Sequence, residues 1–197
     1  MKDAKDILRP YVADMAAVEK HILEAIERQR TDNDVKELPQ ALQLVSRLET
    51  TLKRHVDGLE SHLKQFDGGS VAGAVKETVT GVLGVFAGIY DKVRKDTASR
   101  MLRDDYTALN LAAVSLTMLH TTALAVHHQT TADLALRNLK ELAPLIMELN
   151  EVIPHVVVRE LAEDGRVYDA AVAQQAVRNT QEVWQTSPSM AGAGTTF

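Results

Sequence analysis

The chain has 197 residues, 45% apolar and 25% charged, which suits a single domain with a substantial core. A formal charge of −5 and the lack of a compact basic block argue against nucleic acid as a partner. The complete absence of cysteine excludes disulfides, thiol catalysis and cysteine-ligated metal centres, and fits a cytoplasmic protein.

The opening MKDAKDILRP mixes acidic and basic residues and has no apolar run, so no signal peptide is expected. Periodicity is helical throughout, and the expected fold class is all-α. Residues 1–9 read as an N-terminal arm. A first helix then runs from about Pro10 to Arg30, with Tyr11, Met15, Val18, Ile22 and Ile26 on one face. TDND (31–34) is a turn in which Asp34 can cap the next helix.

Helix two passes Pro39 near its start and stops at Phe66, before DGG (67–69). Leu42, Val45, Leu52, Val56, Leu59 and Leu63 step along it by three and four residues. The missing member of that series is Glu49, a carboxylate at a core-type position that needs an Arg, Asn or His partner from a neighbouring helix.

Residues 70–100 read as a crossover segment. SVAGAVKETVTGVLGVFAGIY (70–90) is apolar and glycine-rich, interrupted by Lys76–Glu77, and is expected to form a short helix across the bundle. Its small residues also allow close contact with a second copy, and stretch 71–90 could touch a membrane surface. DKVRKDTASR (91–100) is a charged connector.

A third helix is predicted from about Leu102 to His127. Residues 108–126 lack formal charge and approach membrane-spanning length, but Asn110, Ser115, His120 and the threonines favour a helix buried on all sides. HQTT (128–131) is the next turn, with Thr130 or Thr131 as cap. In the fourth helix Leu139, Leu142, Ile146, Leu149, Ile153 and Val156 point inward, and Pro144 and Pro154 should bend or break it. The bundle thus spans 10–163, residues 164–185 form a C-terminal helix, and 186–197 are a flexible tail.

Chemistry is harder to find. His55 and His62, like His120 and His127, are seven apart, and facing pairs could bind zinc or copper. Histidines satisfied by Thr or Asn explain the spacing more simply. RDD (103–105) reads as solvated charge at a helix start, and Glu141, Glu148 and Glu151 as one wet side of helix four. No nucleophile–base motif, P-loop or dinucleotide fingerprint occurs.

Two helical hairpins separated by a crossover are the ferritin-like arrangement of an antiparallel four-helix bundle. YVADMAAVEKHILEAI (11–26) and RLETTLKRHVDGLE (47–60) resemble the first two helices of the YciE/YciF-like branch of ferritin-like proteins. LRDDYTALNLAAVSLTMLHTTAL (102–124) and LAPLIMELNEVIP (142–154) resemble a divergent bacterial subgroup of it. The likeness covers roughly residues 8–162 and implies a stress-associated bacterial protein.

It also implies a dinuclear site with one Glu on each of two helices and a Glu-x-x-His pair on the other two. Glu19 matches the first carboxylate. His55 matches a histidine, but Leu52 stands where its glutamate should be, and Glu49 is six residues from His55 and points elsewhere around the helix. Positions 106–127 hold no Asp or Glu, Asn110 standing in place of the third-helix carboxylate, and Asn138–Glu141 replaces the last pair. The expected reading is therefore a non-enzymatic protein with a degenerate site, no cofactor and no substrate, acting by self-association as a homodimer or by partner binding. The alternative is an oxidase or peroxide-handling protein holding iron, manganese or zinc at Glu19, Glu49, His55 and Glu141.

Overall fold

A computed structural model describes residues 3–66, 97–163 and 169–186, of which 93% are helical, with no strand among them. Six helices follow in order: α1 (Ala4–Thr31), α2 (Asn33–Lys36), α3 (Pro39–Phe66), α4 (Ala98–Ala125), α5 (Gln129–Glu163) and α6 (Ala171–Thr186). The glycine-rich segment 70–90, residues 164–168 at the expected start of the C-terminal helix, and the tail from 187 lie outside the described residues.

The four long helices pack in two hairpins, α1 with α3 and α4 with α5, and the hairpins meet through α1–α4 and α3–α5. Cross-helix pairs show the directions. Lys20–Glu60 and Arg30–Glu49 make α1 and α3 antiparallel. Arg47–Glu148 and Arg54–Glu141 do the same for α3 and α5, and Gln29–Asp105 joins the end of α1 to the start of α4. Hence α1 and α5 run one way, and α3 and α4 the other.

Each long helix buries a stripe with alternating steps of four and three, the spacing that keeps one face toward its neighbours. On α1 it is Leu8, Val12, Met15, Glu19, Ile22, Ile26 and Gln29. On α3 it is Ala41, Val45, Leu48, Leu52, His55, Leu59 and His62. α4 contributes Leu102, Asp105, Leu109, Ala112, Leu116 and Leu119, and α5 contributes Thr131, Ala135, Asn138, Leu142, Leu145 and Leu149. Every stripe is mostly aliphatic and carries one or two polar residues.

Several expectations shift. The first helix starts at Ala4, six residues before Pro10, because Leu8 is fully buried and extends the stripe. Pro10 is the seventh residue of α1, past the first turn, so the helix continues through it without a backbone bond to the Asp6 carbonyl. Asp32, not Asp34, caps α2: its Oδ1 accepts the Asp34 N–H at 2.9 Å. Thr131 lies inside α5, which starts at Gln129, and α5 runs unbroken through Pro144 and Pro154. The two aspartates of RDD are not solvated, Asp105 being fully buried and Asp104 nearly so, whereas Arg103 is exposed as expected.

The third helix is not buried on all sides. Val114, Met118 and Leu124 on α4 are 59%, 53% and 48% exposed, so an apolar face looks outward. Among the described residues, α4 is the one helix long and apolar enough to cross a membrane by length and composition.

Candidate functional site

The buried polar residues on the stripes meet in three places. Midway along the helices, α1 brings Glu19 and α3 brings His55 into the interior, with buried Met15 and Ile22 one turn either side of Glu19 and buried Leu52 and Leu59 one turn either side of His55. Both side chains are shielded, at 0% and 1% exposure. His55 Nδ1 lies 3.2 Å from Glu19 Oε1, and its Nε2 lies 2.9 Å from Glu141 Oε2 on α5. Arg54, the residue before His55, reaches the same Glu141 oxygen at 2.6 Å from the outside.

The two carboxylates differ in electrostatics. Burial pushes the Glu19 carboxyl above the usual range, opposed by its hydrogen bond to His55 and by the imidazole's charge. The Arg54 guanidinium holds Glu141 below that range, with His55 adding to the effect. Nε2–H donates to the ionised Glu141. On the other side a single proton serves Glu19 and Nδ1, either as a neutral carboxyl donating to the ring or as imidazolium donating to the carboxylate. The cluster is a charge-compensated chain from the interior to the half-exposed Glu141. Glu19 Oε2 in this cluster and Asn138 Nδ2 on the α5 stripe are buried without a hydrogen-bond partner.

A metal ion fits this arrangement poorly. The nitrogens of one imidazole point away from each other, so Glu19 and Glu141 lie on opposite sides of the ring and cannot share an ion with it. Among the described residues, no three His, Asp or Glu side chains are arranged to hold a metal. Glu49, the fourth ligand expected from sequence, is elsewhere. Its carboxylate meets Arg30 at 2.5 Å and Lys53 at 2.6 Å on the outer seam of α1 and α3. The expected cross-helix arginine is there, but the position is a flank and not the core, because the α3 stripe passes through Leu48 and His55. Asn110 bonds its own helix, at the Tyr106 carbonyl.

At one end of the helices, His62 and Thr131 pair at 2.7 Å between Nε2 and Oγ1, and the same hydroxyl meets His128 Nδ1 at 2.8 Å. Phe66 packs edge-on to both rings. Burial, with His128 adding its charge, lowers the His62 pKa. His120 points its Nδ1 at the Ala132 carbonyl, so the proposed facing histidine pairs do not converge. His127 takes a left-handed backbone at φ 56° in the turn between α4 and α5. At the opposite end, Gln29 Nε2 donates to Asp105 Oδ1 at 2.8 Å in the interior between α1 and α4.

Sequence reading thus named Glu19, His55 and Glu141, and the structure unites those three. It anticipated a histidine satisfied by threonine, which His62–Thr131 is, but missed the burial of Asp105, its partner Gln29 and the link from Thr131 to His128. The signal for these was present: each of Gln29, Asp105, His62 and Thr131 continues a four–three stripe. No family model, no curated protein and no solved structure matches the chain.

Proposed function

We propose that the chain is a ferritin-like four-helix-bundle protein of the bacterial stress-associated kind, working in the cytoplasm without catalysis, through association with a second copy or a partner. The observation that carries this reading is the His55 ring held between Glu19 and Glu141. It stands where the resemblance calls for ligands around an ion, and both of its nitrogens are spent on carboxylates of its own chain. Arg54 supplies the positive charge that a cation would otherwise bring to Glu141. The directions of the long helices, with two hairpins joined through residues 67–96, support the ferritin-like topology.

Elemental analysis of protein produced with added iron, manganese and zinc tests the reading. The expected content is below about 0.1 metal per chain, with no change of melting temperature on adding the ions, since a bound metal stabilises the folded state. Near-stoichiometric metal that falls with Glu19→Gln would replace it with the oxidase alternative.

A further inference from the structure

α4 carries two stripes of the same spacing on opposite faces. The inner one is filled by the neighbouring helices. The outer one, Thr107, Leu111, Val114, Met118, Thr121 and Ala125, also steps by four and three, and all but the half-buried Leu111 are exposed. That repeat is the seam of helix-on-helix packing. A lipid-facing helix has no need of such a narrow repeat.

Two further properties equip this face for burial. Its polar side chains are satisfied within the helix. The hydroxyls of Thr107, Ser115, Thr117, Thr121 and Thr122 each donate to the carbonyl four residues earlier, at 2.8–3.1 Å, leaving the threonine methyl groups to cover the surface. The face is also free of charge, as no Asp, Glu, Lys or Arg lies between Asp105 and Asp133. The other long helices carry charged residues on their outer sides. A hetero-partner is ordinarily chosen by complementary charge at e and g positions, which this seam lacks. A twofold contact sets each residue against the same patch of its partner, and an uncharged patch meets itself without repulsion.

We propose that the outer face of α4 is a self-association surface, on which a second copy of this chain seats its own α4 through the seam centred on Val114 and Met118. The proposal rests on the association reading above and assigns it a surface.

Sedimentation velocity of the full chain at micromolar concentration gives a dimer. The Val114→Glu/Met118→Glu variant, which would bury carboxylates at the seam, weakens the dimer by at least about 100-fold while keeping its helical circular dichroism. Val172→Glu, at an exposed valine on α6, leaves the dimer intact. The cysteine-free chain offers a second readout that needs no charge in the seam. Met118→Cys forms an oxidative cross-link between copies, and Val172→Cys does not. A dimer that survives Val114→Glu/Met118→Glu, with no Met118→Cys cross-link, overturns the assignment and leaves the association reading standing. A monomeric wild-type chain overturns the self-association surface outright. So does a monomer whose outer α4 face drives co-sedimentation with phosphatidylcholine vesicles, since lipid would then be its occupant.

Discussion

The middle of the helices and the outside of α4 invert the usual distribution of polarity. Inside, Glu19 and His55 are shut away from water with a half-exposed Glu141 and an exposed Arg54 at the mouth. Outside, α4 presents valine, methionine and threonine methyls with no charge along the face. A buried ionic cluster contributes little net stability, because desolvation offsets attraction, yet losing one member is costly. An exposed apolar seam contributes nothing to the isolated chain until something covers it. Sequence alone ranks both places by hydropathy, and the inversion explains why hydropathy misjudged them.

The comparison can be broken most forcefully at its buried half. His55→Ala removes the group that links both carboxylates and leaves the Glu19 carboxyl stranded. Chemical denaturation should show a loss of about 3–5 kcal/mol, as for removal of one member of a buried pair. Glu19→Gln should cost less and should also flatten the pH dependence. The Glu19 carboxyl is raised in the folded state, so the folded protein holds its proton more tightly than the unfolded chain. Its ionisation therefore lowers stability as pH rises above about 4.5, the ordinary value for a glutamate, and that slope should vanish in Glu19→Gln.

A smaller effect is expected at the Gln29–Asp105 pair. Gln29→Ala deprives the buried Asp105 of its amide donor and should cost about 1–3 kcal/mol in the same assay. His62 gives a pH signature of the opposite sign. Its lowered pKa means that the unfolded chain takes up the proton first as pH falls through about 6.5, so wild-type stability should drop there. Thermal melts of His62→Gln across that range should show the drop reduced.

At the outer surface the effects shrink. Val114→Ala should change the stability of the monomeric chain by no more than about 0.5 kcal/mol, in contrast to a buried valine. Glu49→Gln should cost no more than about 1 kcal/mol, since the carboxylate, itself 13% exposed, pairs at the helix flank with Arg30 and Lys53, which are both about half exposed. A loss above 2 kcal/mol from Glu49→Gln would return that residue to the core.

How much was legible depends on the stripe chosen. On α3 the series through Leu42, Val56 and Leu63, apolar except at Glu49, and the observed stripe through Ala41, Leu48, His55 and His62 share Val45, Leu52 and Leu59. On α5 the apolar series through Leu139, Ile146 and Ile153 shares Leu142, Leu149 and Val156 with the stripe holding Thr131 and Asn138. In both helices the faces are wide enough to bury members of either series. Hydropathy selects the series richer in large apolar residues, even with Glu49 in the α3 one, and so turns attention from the polar residues of the other stripe. The helical class and the helix order follow directly from periodicity. Glu19, His55 and Glu141 were found through the resemblance, whereas Gln29–Asp105 and His62–Thr131 needed the partner helix to reveal them. The outward face of α4 was hidden for a related reason. An apolar helix reads as interior, and only the positions of its neighbours show which side they cover.

One consequence concerns the order of assembly. Glu19 and His55 are 36 residues apart, inside one hairpin, whereas His55 and Glu141 are 86 apart and belong to different hairpins. Closure of the shorter loop is entropically easier, so the first hairpin gathers its half of the cluster while still wet. The arrival of α5 then dries the ring and adds the second carboxylate in the same step. A ribosome-bound chain that ends before Glu141 would carry a solvated histidine beside Glu19, and completing translation converts that open pair into a sealed one.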